Sequence, residues 1–132
     1  MASQVKQSNV VFEQGIANFS NSLYSKLDRT GNEFISPYSI TSALLLLMLG
    51  TGKTTKTQMK SVIFKYQEPN DIDQGYKLLN EELLTRTKTG VTLSIANRLY
   101  GSKHFNLSNT FSTKATTYYG SGIELLDFIT ET

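Results

Sequence analysis

Cysteine is absent from this sequence of 132 residues. The chain therefore has no disulfide framework, no thiolate site for zinc and no cysteine nucleophile. An excess of charge is also missing, because 13 Lys and Arg stand against 11 Asp and Glu and leave a formal net charge of +2. This balance argues against a nucleic-acid partner, and a hydrophobic content of 39% is not that of a disordered chain.

A long apolar run is missing too. The run at residues 43–49 is seven residues long, whereas a helix needs about 20 apolar residues to cross a bilayer, so we expect no membrane partner. The first ten residues, MASQVKQSNV, lack the apolar core of a secretory signal. Conventional secretion is therefore disfavoured, and a cytoplasmic location is favoured.

Histidine occurs once, at position 104. His104 follows Ser102 and Lys103 in a predicted turn, and no carboxylate or serine stands at the spacing typical of a catalytic triad. Glu124 and Asp127 lie near the last predicted strand rather than facing each other across a cleft. We therefore predict no catalytic residues, no enzyme activity, no metal site and no cofactor.

A buried helix is predicted over residues 37–49. Ser36 can accept a hydrogen bond from the first helical turn, and Pro37 suits the first helical position because it lacks an N–H there. Residues 40–49 are apolar on nearly every face, which is typical of a helix surrounded by protein. We expect Gly50 to end this helix in the left-handed conformation.

Two helices are predicted on either side of the buried one. Apolar residues three and four apart predict a helix over about residues 10–28, with Ser8 or Asn9 as its cap. After the buried helix, Thr55 and Gln58 form the pattern of a capping box, which predicts the start of a short helix.

Two further helices follow along the chain. Apolar residues at helical spacing predict a helix over about residues 71–86. Ser108 can cap a last helix, and Gly120 can end it.

Strands are predicted at three places. Residues 33–35 form a short segment after a turn that is apolar at its end, and residues 91–100 alternate between apolar and polar side chains. A last strand is predicted over residues 123–126. We expect the strands at 91–100 and 123–126 to be adjacent and antiparallel in a mixed α+β fold, and we find no repeat or linker that divides the chain.

Several motifs in this order closely resemble the serpin signature. The segment 34–62, FISPYSITSALLLLMLGTGKTTKTQMKSV, carries the Phe-x-Ser-Pro-x-Ser-Ile run, the Leu-Gly pair and the Thr-Gln-Met triplet of that family. The sequences ANRLY at 96–100 and LDF at 126–128 add to the match. The chain is therefore identified as similar to the amino-terminal part of a serpin, and to intracellular ovalbumin-type serpins that lack a signal peptide.

This resemblance implies both a fold and a function. The fold would be α+β, with two strands of the large serpin sheet and one short strand of a second sheet, and residues 1–132 would form a partial serpin domain. Serpins inhibit serine or cysteine proteases by offering a reactive-centre loop, which inserts into the large sheet after cleavage. That loop and the later strands are not expected within residues 1–132, so we predict that this chain alone does not inhibit by that mechanism. The family also leaves an extracellular location open.

Ser36, Ser39 and Asn97 resemble residues of the serpin shutter, the region beneath the large sheet that helps to control strand separation. A simpler interpretation stands beside this one. Ser36 would then be a helix cap, Ser39 a buried helix serine and Asn97 a hydrogen-bonded structural asparagine.

Two other motifs suggest ligands. The GTGKTT sequence at 50–55 ends like a phosphate-binding loop, but Leu47 occupies the place of the first required glycine and a helix precedes the turn, so we predict no nucleotide site. Lys53, Lys56 and Lys60 stand at helical spacing and could give weak contacts to a polyanion such as a glycosaminoglycan. A solvated basic face is the alternative.

A second functional hypothesis concerns the strand at 91–100. This strand would normally lie beside another strand that residues 1–132 do not include, so one of its edges would be unpaired. The chain would then be a non-inhibitory interaction module that pairs through this edge with a partner or with another copy of itself.

Overall fold

The structure is a computed structural model that describes residues 2–28, 30–66, 68–85, 90 and 92–130, with side chains from residue 9 onward. The described residues form a helix-rich α+β fold, which confirms the predicted class. The elements in chain order are α1 (Ala2–Tyr24), α2 (Pro37–Leu49), α3 (Lys53–Ile63), α4 (Ile72–Thr85), β1 (Arg98–Ser102), α5 (Asn109–Tyr119) and β2 (Gly122–Leu126).

Helix α1 begins earlier and ends earlier than predicted. Ser8 and Asn9 lie inside the helix instead of capping it, because the residues before them include no proline or glycine that would stop it. The Asn9 side-chain amide donates to Glu13 Oε1 at 2.6 Å, four residues along the same helix. The apolar stripe is nonetheless where the spacing placed it, and Phe12 and Ile16 are buried.

Helix α2 has the predicted bounds and the predicted cap. Ser36 Oγ accepts from the Ser39 backbone N–H at 3.3 Å, and Pro37 stands at the first position. The prediction that Gly50 ends the helix in the left-handed conformation was wrong. Gly50 has φ −90°, and its N–H donates to the Leu47 carbonyl oxygen at 3.0 Å. The last turn therefore tightens while the backbone stays right-handed. Burial is also less complete than predicted, since Leu45 is buried and Leu47 is 58% exposed.

The predicted capping box at Thr55 was wrong. Helix α3 begins at Lys53, before the predicted cap residue Thr55. Gly52 is the cap residue, and no side chain donates or accepts a capping hydrogen bond there. The Lys56 N–H donates instead to the Gly52 carbonyl oxygen at 2.8 Å.

The predictions for α4 and α5 are confirmed. Helix α4 ends at Thr85, and position 86 of its predicted range lies outside the described residues. Ser108 Oγ accepts from the Phe111 N–H at 3.2 Å, and Gly120 ends α5 with φ +57°. Glycine is the residue that adopts this left-handed conformation without a steric penalty.

The strands β1 and β2 form a parallel pair, so the predicted antiparallel orientation was wrong. The register runs from Arg98 opposite Gly122 to Ser102 opposite Leu126. Helix α5 lies between the two strands in sequence, and such a helical crossover returns the chain in the same direction. The described part of the sheet has only these two strands.

Two predicted strand segments are not strands here. Residues 33–35 belong to no helix or strand. The predicted strand at 91–100 forms a ladder only from Arg98 onward, while residues 92–97 belong to no regular element and residue 91 lies outside the described part. A strand needs a neighbour for its ladder, and β2 reaches no farther back than the partner of Arg98.

The core lies where the five helices α1 to α5 meet. Gly75 of α4 allows α1 to come close, because a Cβ atom there would be 2.7 Å from Phe12 Cγ. The fully or nearly buried apolar side chains are Phe12, Ile16, Leu45, Leu46, Met48, Ile63, Phe64, Ile72, Tyr76, Ala115 and Tyr119.

Candidate functional site

The three shutter-like residues line one cavity of about 500 Å³, which we call the serine cavity. Ser36 and Ser39 enter it from the first turn of α2, and Asn97 enters it from the segment that precedes β1. The structure thus brings together residues that are about 60 positions apart in the sequence. The remaining lining residues are Tyr38, Ser42, Leu83, Leu93, Ser94, Ile95 and Ala96.

Ser36 and Ser39 form a pair at the mouth of this cavity. Their hydroxyl oxygens are 2.9 Å apart, and both residues are exposed. The expectation that Ser39 is a buried helix serine was therefore wrong. Ser36 also caps α2, so the simple capping role is present in the structure. An additional shutter role stays a prediction for both serines.

Asn97 bonds to a buried tyrosine rather than to these serines. Its side-chain amide donates to the Tyr76 hydroxyl oxygen at 3.1 Å. Tyr76 is 1% exposed and in turn donates to Ser42 Oγ at 3.1 Å. Asn97 is therefore a hydrogen-bonded residue, as the simpler interpretation predicted, and its partner is on α4.

Tyr38 extends this network to the other side of Tyr76. The Tyr38 hydroxyl donates to Asn80 Oδ1 at 3.1 Å and lies 3.4 Å from the Tyr76 hydroxyl. Burial, followed by the hydrogen bond to Tyr76, raises the pKa of Tyr38 above its ordinary value. The hydroxyl is therefore protonated, and available as a donor, throughout the neutral pH range.

The sequence interpretation missed Tyr38, Ser42, Tyr76 and Asn80. A usable signal was present, because Tyr38 and Ser42 are four residues apart on α2, and Tyr76 and Asn80 are four residues apart on α4. Buried tyrosines generally need a hydrogen-bond partner for their hydroxyl. The spacing could have shown one polar face on each helix, but not that the two faces meet.

Tyr119 and Asp73 form a second polar contact beside the first. The Tyr76 and Tyr119 rings stack with 4.7 Å between centroids. The Tyr119 hydroxyl donates to Asp73 Oδ1 at 2.8 Å, and Lys114 Nζ donates to Asp73 Oδ2 at 2.9 Å. Burial first, and then the Asp73 charge, raise the pKa of Tyr119, while the bond to Asp73 raises the pKa of Lys114.

The lysines predicted as polyanion contacts lie on α3, near several carboxylates. Lys60 forms an ion pair with Glu68. Lys56 and Lys60 border a cavity of about 130 Å³ that also has Glu68 and Asp73 in its wall. Lys53 is exposed at the start of the helix. Because the acidic groups offset the positive field, a polyanion contact stays a prediction with little support from this geometry.

His104 lies near Asp127, a pairing that the sequence interpretation did not foresee. His104 Nε2 is 3.6 Å from Asp127 Oδ1, and Lys103 Nζ is 3.0 Å from Asp127 Oδ2. The parallel register explains this proximity, because it sets Ser102 opposite Leu126 and so brings the following residues together. The Lys103 bond, followed by the Ile129 backbone N–H, lowers the pKa of Asp127.

Within the described ranges, no helix combines the length and apolar character that a membrane crossing needs. The same residues contain no cluster of three or more His, Cys, Asp or Glu side chains that could hold a metal ion.

Comparison with known proteins identifies the family. The family model described as serpin (serine protease inhibitor) matches residues 14–132. Leukocyte elastase inhibitor A of Rattus norvegicus is 39% identical over 104 residues, which are 79% of this chain and 27% of that protein. Leukocyte elastase inhibitor of Homo sapiens is 34% identical over 104 residues, again 79% and 27% of the two chains.

Serpin B6 of Bos taurus is 34% identical over 119 residues, which are 86% of this chain and 31% of that protein. The chain therefore spans between a quarter and a third of the length of these relatives.

A solved structure shows the same fold. The structure of Arabidopsis AtSerpin1 in its native stressed conformation superposes with a TM-score of 0.71 and 21% identity, over 96% of this chain and 33% of that chain. The family match over residues 14–132 runs from within α1 to beyond β2. The chain belongs to the serpin family.

Proposed function

We propose that this chain provides the amino-terminal part of a serpin that inhibits serine proteases, with elastase as the first protease to test. The observation that carries the proposal is the 34–39% identity to leukocyte elastase inhibitors of human and rat. Cysteine proteases remain a further predicted target class. A cytoplasmic location also stays a prediction.

The chain by itself is proposed not to inhibit. Serpin-type trapping needs a bait loop and a complete sheet into which the cleaved loop can insert. The described residues supply a two-stranded sheet, which has no gap between strands for an inserting strand. Without that insertion there is no new hydrogen-bond ladder to pull the acylated protease away from its active geometry.

A chimera tests the proposal directly. In it, this chain replaces the matched amino-terminal segment of rat leukocyte elastase inhibitor A, so that the rat protein supplies everything downstream. We expect the chimera to form an adduct with elastase that survives a denaturing gel, and residues 1–132 alone to form none.

Two controls sharpen this experiment. Elastase with its catalytic serine chemically blocked should give no adduct, because the trap requires an acyl-enzyme. The intact rat inhibitor should give the full adduct. If the rat inhibitor forms the adduct while a folded chimera is only cleaved, the proposal that this chain can serve an inhibitor is wrong.

We propose as a second candidate function that the chain pairs through an open edge. Residues 92–97 continue directly into β1 but lie in no ladder, and residues 93–97 line the serine cavity. The segment reads TLSIAN and contains neither charge nor proline. Such an edge is suited to accept a strand from a partner or from a second copy.

Sedimentation velocity over a range of concentrations tests whether a second copy of the chain binds at this edge. A monomer at every concentration would contradict pairing between copies.

A further inference from the structure

Tyr76 occupies the centre of a hydrogen-bond chain that joins three parts of the fold. Its hydroxyl accepts from the Asn97 amide at 3.1 Å and donates to Ser42 Oγ at 3.1 Å. Ser42 Oγ then donates to the Tyr38 carbonyl oxygen at 2.9 Å. The chain therefore runs from the segment before β1, through α4, into the first turns of α2.

The donors and acceptors of this chain fit one direction only. Tyr76 has a single proton, and giving it to Ser42 leaves the oxygen free to accept from Asn97. Tyr38 gives its own proton to Asn80, at the shorter of its two distances. Bonds that all point the same way polarise and strengthen one another in a buried setting.

The position of Tyr76 is fixed by packing and does not depend on Asn97. The residue is 1% exposed, and its ring lies between Tyr119 at 4.7 Å and Tyr38 at 6.1 Å between centroids. Asn97 also has a backbone contact, since the Gly122 N–H donates to its carbonyl oxygen at 3.3 Å. Residues 92–96 lie in no regular element, and Leu93 is 41% exposed. The fixed Tyr76 hydroxyl thus bonds to the side chain of the last residue of this segment.

We propose that the Tyr76 hydroxyl is a positioning group that fixes Asn97 and thereby holds the segment 92–97 in place along the serine cavity. Tyr76 would set the place of this open edge without touching any strand that binds there. The inference deepens the second candidate function, and its test involves neither a protease nor a binding partner.

The test is Tyr76→Phe in the full 132-residue chain, with nitrogen-15 NMR relaxation as the measurement. This change removes one oxygen and keeps the stacked ring. We expect the backbone order parameters of residues 93–97 to fall from about 0.85 to below about 0.6, while those of α2 and α4 stay unchanged. The Asn97 side-chain amide signal should also move towards the position of a solvent-exposed amide.

Tyr119→Phe is the matched control. Tyr119 is also 1% exposed, stacks in the same column and donates one hydrogen bond, but that bond goes to Asp73. Its loss should lower the melting temperature and leave the order parameters of residues 93–97 at the wild-type level. Asn97→Ala should reproduce the Tyr76→Phe effect, and the double variant should show no further loss, because both changes remove the same bond.

The proposal is overturned by any of three results. The wild-type segment could already have order parameters below about 0.6, in which case nothing holds it. Tyr76→Phe could leave residues 93–97 as ordered as before. Should Tyr76→Phe fail to fold, Asn97→Ala decides alone, and an unchanged segment in that variant rejects the proposal. The relaxation is measured at a concentration where the chain is monomeric, because pairing through residues 92–97 would itself order the segment.

Discussion

The pKa of the Tyr119 hydroxyl depends strongly on whether the chain is folded. The side chain is 1% exposed, and its hydroxyl donates to Asp73. Burial opposes the phenolate, and the nearby carboxylate repels it, so both raise the pKa of Tyr119. Tyr38 shares the first cause, since its burial raises its pKa. These two tyrosines therefore stay neutral at pH values where the tyrosines of an unfolded chain ionise.

An alkaline titration checks this expectation. The stability that Tyr38 and Tyr119 contribute is fully present below pH 10.0, their ordinary pKa, and is lost as the pH rises through the raised folded value. We expect ultraviolet absorbance to show that Tyr38 and Tyr119 ionise only above pH 10.0, together with the loss of helical circular dichroism. Tyr119→Phe should remove one of these two late signals. Ionisation of Tyr38 and Tyr119 near pH 10 in a still-folded chain would contradict the expectation.

At the scale of the helices and strands, what the sequence could predict depended on how local the cause was. The start of α2 was predictable because Ser36 and Pro37 act within one turn, and the end of α5 was predictable because Gly120 is itself the left-handed residue. The capping box at Thr55 failed because the helix already begins at Lys53, after Gly52, so Thr55 lies inside its first turn.

Pairing between elements was beyond local reasoning. Alternation in residues 91–100 signals a strand but says nothing about the direction of its neighbour, and the structure shows a parallel partner across α5. The candidate site likewise has residues that the sequence could indicate and a contact that it could not. Family motifs brought Ser36 and Asn97 to attention, whereas the Tyr76 contact joins side chains 21 positions apart and exists only in the packed fold.

The two serine caps allow a direct comparison between helices. Ser36 and Ser108 each accept one backbone N–H, at 3.3 Å and 3.2 Å, so each substitution by alanine should lower the free energy of unfolding by about 1 kcal/mol. Urea unfolding of Ser36→Ala and Ser108→Ala measures both values. Ser108 does not line the serine cavity and is therefore the control. A loss for Ser36→Ala well above about 2 kcal/mol would show that capping is not its whole structural role.

At the scale of the whole molecule, the described surface carries large apolar side chains without cover. Phe34 is 100% exposed, Ile129 is 83% exposed and Phe105 is 73% exposed. The chain covers 33% of the AtSerpin1 chain that it superposes on. Exposed apolar surface of this kind favours association between copies of the chain. The open segment 92–97 is the strand edge through which we expect two copies to pair.

A pair of lysine substitutions distinguishes pairing through the strand edge from non-specific association of exposed apolar surface. Leu93→Lys places a charge on the open segment, where a second strand would have to desolvate it, and Val62→Lys adds the same charge on α3, where the side chain is 62% exposed. If copies associate through residues 92–97, sedimentation velocity should show Leu93→Lys as a monomer at concentrations where Val62→Lys and the unmodified chain form dimers or larger species. Equal dissociation of both variants would instead mean that added charge, and not the strand edge, controls association. Persistence of the same oligomer in Leu93→Lys would place the contact elsewhere on the molecule, because a strand paired at this edge would have to desolvate the lysine at position 93.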